Sequence, residues 1–166
     1  VFALGVDPGL SRCGYGAVRS QGGRLSAEAF GHLTTPTEDP LSERLAALWE
    51  DLTLLLEQLR PDVVVVERVL FQVNARTAMS VGQASGLALA SAARFGCPVA
   101  QYSPNEVKLA VTGYGSATKD QVQRMVQVLL GLDQPPRPAD RADALALAVC
   151  HLSGAGLRAA AGQGST

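Results

Sequence analysis

Four carboxylates stand where a charge is costly to bury or where a helix begins. Asp7 closes the apolar run Phe2-Ala3-Leu4-Gly5-Val6 and precedes Pro8-Gly9. Glu67 follows four valines, Val63 to Val66. Asp140 and Asp143 lie three apart and so share one helix face. Each has a plainer reading by itself: Asp7 as a turn former, Glu67 as the first solvated residue after a strand, Asp140 as an N-cap, Asp143 as an acid beside the helix dipole. Taken together they describe something more. Two strand-ending acids that can be neighbours, with two more on a helix that can pack nearby, would repel and raise one another's proton affinity. Two divalent cations remove that repulsion. Such a pair, about 3.5–4 Å apart, hydrolyses phosphodiesters, one ion generating hydroxide and the other holding the leaving oxygen. His32 and His151 are too scattered for an imidazole site. Cys13, Cys97 and Cys150 are odd in number and form no C-x-x-C, so neither a disulfide framework nor a zinc ribbon is expected. Any metal is held by oxygen, which points to Mg2+ or Mn2+.

The basic residues that could meet a phosphate are few. Lys108 and Lys119 are the only lysines. Gly113-Tyr114-Gly115-Ser116-Ala117-Thr118-Lys119 places glycine-freed backbone, the Ser116 hydroxyl and an ammonium at a helix start, which suits a phosphate; a plain helix–turn–helix reads the same way. Arg68 and Arg76 could extend a basic track or simply be solvated. The formal net charge is −1, so bulk positive charge does not bind nucleic acid here. Acids dominate residues 38–67 and bases dominate 68–127, which leaves room for a local basic face.

These residues need elements to hold them. Residues 2–7 read as a buried strand stopped by a turn. Residues 13–19 and 25–34 read as two more, joined at Gly22-Gly23, so the chain opens as an antiparallel meander. Leucines at 41, 45, 48, 52, 55, 56 and 59 make the apolar stripe of a helix over 40–60, with its acids on the solvated face. Val63 to Val66 lack alternation, which predicts a strand covered on both sides. A short connection over 69–73 leads to an Ala-, Gly- and Ser-rich helix over 74–95 and a fifth strand over 99–102. Ser103-Pro104-Asn105-Glu106 is a capping box that starts a helix. Gly113 breaks that helix, another covers 118–130, and a last one covers 140–152. The fold class expected is α/β, a five-stranded mixed sheet with helices on both faces. Residues 1–152 form one domain and 153–166 a flexible tail.

The chain has 166 residues, 47% hydrophobic and 17% charged, which excludes a disordered protein and suits one domain. No apolar run is long enough to cross a membrane and no signal peptide is evident, so a cytoplasmic location is expected.

Five motifs in order resemble the bacterial Holliday junction resolvases of the RuvC type over almost the whole length. They are Gly5-Val6-Asp7-Pro8-Gly9 with Gly14-Tyr15-Gly16, Val66-Glu67, Gly82-Gln83-Ala84-Ser85-Gly86, residues 113–119, and Ala139-Asp140-Arg141-Ala142-Asp143-Ala144. The resemblance implies a ribonuclease-H-like fold and a homodimer that cuts four-way DNA junctions in recombination and repair. It implies that Asp7, Glu67, Asp140 and Asp143 hold two ions of Mg2+ or Mn2+, and that Lys108 and Lys119 contact DNA near the scissile phosphate. It admits a branch-migration helicase complex among the partners. The family's aromatic residue three positions after the strand-ending Glu falls on Leu70 here, with Phe71 next; either Phe71 takes over the stacking or the wedge is aliphatic.

Other classes are weaker. An ATPase of the actin and Hsp70 type has a phosphate loop like residues 5–11, yet needs two lobes to enclose its nucleotide. A related nuclease acting on structured RNA shares the fold and differs in substrate. A catalytically dead binding module would lack one of the four acids, and none is missing. The helix over 74–95 carries Gly82 and Gly86 four apart, near Ala75, Ala78 and Ala93. That face serves either the sheet or a second copy of the chain, and the resemblance favours the second copy.

Overall fold

The computed structural model describes residues 1–68 and 75–154. Strand β1 (Phe2–Asp7) pairs antiparallel with β2 (Arg12–Gln21), and β2 pairs antiparallel with β3 (Arg24–Thr34). The turn between β2 and β3 uses Gly22 and Gly23, both at positive φ, which twists with the hairpin. Helix α1 (Leu41–Leu59) crosses over to β4 (Val63–Glu67), which lies parallel to β1. Helix α2 (Ala75–Arg94) then leads to β5 (Val99–Tyr102), parallel to β4. The sheet order is β3-β2-β1-β4-β5, a mixed five-stranded sheet. Helices α3 (Pro104–Thr112), α4 (Lys119–Leu130) and α5 (Ala139–Leu152) complete the chain.

The sheet divides the core in two. Val63 and Val65 join a cluster with Val107, Val111, Val122, Val126 and the body of α5. Val64 and Val66 join another with Leu48, Leu52, Leu55, Leu56, Ala84 and Ala88 of α1 and α2. Valine at the first four positions of β4 suits a strand whose two faces are both dry. The middle of the α1 stripe behaves as its spacing requires, with Leu48, Leu52, Leu55 and Leu56 buried, whereas Leu41, expected in the stripe, is exposed because it stands at the helix start.

Helix α5 determines the geometry of the site. Every residue from Ala144 to Cys150 is buried, so this part of the helix is apolar all round and lies inside the fold, while its N-terminal end carries Asp140 and Asp143. It settles directly on β1 and β2. A Cβ on Gly5 would overlap the Ala144 carbonyl oxygen, and one on Gly14 the carbonyl of Asp140. Glycine is the residue that lets this backbone approach happen. One expectation needs correction: Asp140 does not cap α5. Pro138 occupies the N-cap position without a side-chain bond, and Asp140 is the second helical residue. Proline fixes an extended φ just ahead of the helix, so the cap falls there and the Asp140 side chain stays available to the cleft.

Candidate active site

Strand alternation aims the first two acids. Val6 and Val66 are partners in the β1–β4 register, and both side chains enter the α1–α2 core. Asp7 and Glu67, one residue on, therefore face the other side, toward α5. Asp7 is also the partner of Gly14 across β1 and β2, and Gly14 is the point where Asp140 comes down on the sheet. Asp143 follows three residues along the helix. The four acids line one cleft of about 320 Å³.

The opposite wall comes from α3 and α4. Helix α3 begins with the Ser103–Glu106 capping box, and Lys108 on it reaches the cleft. A second capping box, Thr118 with Gln121, opens α4 and places Lys119 at its first helical position. That box was legible as Thr118-Lys119-Asp120-Gln121 and is the signal for why Lys119 sits where it does. Lys119 Nζ donates to Asp143 Oδ2 at 3.3 Å. Val107, Val122, Ala146 and Leu147 make the apolar part of the lining.

Electrostatics match a crowd of partly buried acids. Asp7 is pushed up to about 8, first by burial and then by Asp143, Glu67 and Asp140, with Lys119 opposing. Glu67 is raised by burial and by Asp143, against Lys119 and Lys108. Burial also raises Asp143, with Lys119 pulling it back through charge and hydrogen bond. Lys119 is held above its usual value mainly by Asp143. All four lining acids offer oxygen, and their repulsion is what a hard divalent cation removes. The donor set thus fits Mg2+ or Mn2+. Their spacing is open: among the described residues no three acidic, histidine or cysteine side chains are closed up around a metal position. Asp143 is drawn to Lys119 and Asp140 to Arg12, whose Nη1 donates to Asp140 Oδ2 at 3.4 Å.

Arg12 is the site residue that sequence reasoning passes over, because its partner is 128 positions away. The remaining candidates lie elsewhere. Ser116 is exposed in the turn before α4, outside the cleft lining, while the neighbouring Ala117 is buried and anchors that turn. Arg76 is exposed in the first turn of α2, also away from the lining. Leu70 and Phe71 lie outside the described residues. Arg68 stands beside the capping box of α3, with Nη1 4.0 Å from Glu106 Oε2. A groove of about 400 Å³ runs along α2, lined by Gly82, Gly86, Met79, Arg68 and their neighbours. A Cβ at Gly82 or Gly86 would meet open space, so this face is not packed on the protein's own sheet.

Residues 3–151 match the family model described as RuvC, crossover junction endodeoxyribonuclease RuvC. A relative of that name from Moorella thermoacetica is 49% identical over 153 residues, covering 92% of each chain. The solved RuvC of Thermus thermophilus aligns with a TM-score of 0.86 at 34% identity, over 95% of this chain and 97% of that one. The same organism's RuvC solved in complex with a Holliday junction substrate aligns at 0.85 and 32% identity, over 95% and 96%.

Proposed function

The chain belongs to the RuvC family of crossover junction endodeoxyribonucleases, and from that premise we propose that its cleft is where a four-way DNA junction is cut. It is an endonuclease of recombination and repair that resolves Holliday junctions by phosphodiester hydrolysis. The observation that carries the site assignment is the convergence of Asp7 and Glu67, from neighbouring strand ends, with Asp140 and Asp143 on α5 and Lys108 and Lys119 on the facing wall.

The four acids would hold two ions of Mg2+ or Mn2+, which when bound supply the positive charge that activates water and stabilises the leaving oxygen. The protein's own groups do the rest. Lys119 and Lys108 draw the scissile phosphate into the cleft and stabilise the charge that grows on it. The apolar wall of Val107, Val122, Ala146 and Leu147 limits water to the reacting side. Backbone and hydroxyl at Ser116, with Arg76, contact the junction farther from the cut, and Phe71 or the aliphatic Leu70 supplies the wedge that meets it.

A junction has two-fold symmetry and needs two matched cuts, whereas each chain carries one such cleft. A homodimer joined through the open Gly82–Gly86 face supplies the second. A branch-migration helicase complex would deliver the junction, and the cytoplasm is where this takes place. The solved Holliday junction complex of the Thermus thermophilus relative supports DNA, rather than structured RNA, as substrate.

The test is a synthetic four-way DNA junction beside a structured RNA of equal length, each with and without Mg2+. Paired symmetric nicks in the DNA, dependent on the ion, are expected. Cutting of the RNA alone would overturn the substrate assignment.

A further inference from the structure

Two of the four acids already carry a cation. Lys119 holds Asp143 and Arg12 holds Asp140, whereas among the described residues no cation lies within ion-pair distance of Asp7 or Glu67. Arg12 does not arrive there by a loose side-chain excursion. The turn after Asp7 is so tight that a Cβ on Gly9 would overlap the Arg12 carbonyl oxygen. Cys13 points into the α1–α2 core, so Arg12 and Gly14, on either side of it, face α5. Gly14 lies against the Asp140 backbone. The strand that carries Arg12 is thus fixed against the residue that Arg12 pairs with. The pair is half open to solvent, with Arg12 52% and Asp140 30% exposed, so it contributes little to stability and breaks readily.

A hard divalent ion held by Asp140 would compete for the same carboxylate and displace the guanidinium. Asp140 lines the cleft and Arg12 stands beside it outside the lining, so a freed guanidinium would be next to a cleft proposed to receive a phosphate, and its planar fork suits phosphate oxygens. We propose that Arg12 is a displaceable counter-cation: it holds Asp140 in the ion-free protein, yields that carboxylate to the divalent ion, and then takes a phosphate of the incoming DNA strand. Ion and DNA binding thereby reinforce one another, since each favours the state in which Arg12 has left Asp140. The inference rests on the assignment of Asp140 as a metal ligand in a DNA-cutting cleft.

Two measurements test it. The first titrates Mn2+ by electron paramagnetic resonance into the wild type, Arg12→Gln and Asp140→Asn. Arg12→Gln is expected to bind Mn2+ roughly two- to fivefold more tightly, the range that loss of a weak exposed pair allows. The second follows the salt dependence of junction binding by fluorescence anisotropy, with Ca2+ and without divalent ions. In Ca2+ the wild-type slope is expected to exceed that of Arg12→Gln by roughly 0.9 per engaged site, one phosphate contact each, with Arg12→Lys retaining it. Without divalent ions the wild-type and Arg12→Gln slopes are expected to coincide. Unchanged or weaker Mn2+ affinity in Arg12→Gln, or equal slopes in Ca2+, overturns the inference. If Asp140→Asn binds Mn2+ as the wild type does, the metal assignment itself fails; if it loses affinity while Arg12→Gln matches the wild type, only the role of Arg12 fails.

Discussion

Asp7 and Gly14 face one another across β1 and β2, and the side chain that Gly14 lacks is the space into which the Asp140 backbone descends. One acid is thereby brought to another through an absence. Gly14→Ala puts a methyl group against that backbone and lifts the start of α5. Overpacking of this kind costs about 1–3 kcal/mol, and cleavage should fall further than the loss of folded protein explains. Urea melts paired with single-turnover cleavage measure both; wild-type cleavage in a folded variant would mean that Asp140 is placed by something else.

The four acids are expected to be indispensable for cutting and dispensable for binding. Asp7→Asn, Glu67→Gln, Asp140→Asn and Asp143→Asn should each abolish nicking of a four-way junction while a mobility-shift assay still shows the complex. Full activity in any one of them removes that residue from the metal set.

Asp7 gives a pH dependence with a definite sign. Its folded value of about 8 lies above the ordinary 3.8, so between these limits the folded state binds more protons than the unfolded one. Ion-free stability therefore declines as pH rises from about 4 to about 8, by an amount on the order of a few kcal/mol. Asp7→Asn should melt above the wild type at pH 8 in EDTA, with the gap closing toward pH 4. Millimolar Mg2+ should raise the wild-type melting temperature most at pH 8, because the ion binds the native carboxylates and relieves their repulsion. A wild-type melting curve in EDTA that is flat across this range would show that Asp7 does not carry the burden.

Lys108→Ala and Lys119→Ala should slow cleavage under saturating junction by roughly 10²–10³-fold, the usual effect of removing one group that stabilises transition-state charge, with a smaller loss of affinity. If both turn over at the wild-type rate when saturated, the lysines are general phosphate contacts.

Gly82→Leu tests the dimer without endangering the protomer, because the added side chain enters open space. The variant should keep its thermal stability, sediment as a monomer at concentrations where the wild type is dimeric, and lose the pairing of its two cuts. A wild type that is itself monomeric yet makes both cuts together would sink the assembly scheme.

Local chemistry explains what could be read from the sequence. Four consecutive valines announce a strand dry on both sides, and Val63 and Val65 do part from Val64 and Val66 into separate cores. Seven leucines at alternating spacings announce α1. Ser103-Pro104-Asn105-Glu106 announces α3, and its box forms as expected. What stayed hidden depends on encounters between distant segments. Nothing near Arg12 in the chain says that it will meet Asp140, and nothing near Gly5 says that its hydrogen will be covered by the Ala144 carbonyl. Propensity alone favours Asp140 at the cap, because Asp is a better cap than Pro in isolation, whereas Pro138 is the residue at which the chain turns into the helix.

The descent of α5 on to β1 and β2 also sets the order in which the enzyme becomes dangerous. A chain leaving the ribosome presents Asp7 and Glu67 early, in a sheet that can already pair. Both remaining acids arrive on α5, the last helix among the described residues, which must dock before the cleft exists. A chain cut short anywhere before Ala139 lacks two of the four acids that line the cleft and the helix that covers Gly5 and Gly14. Such a truncated chain is expected to leave a four-way junction uncut. The cleft is complete only with α5 in place.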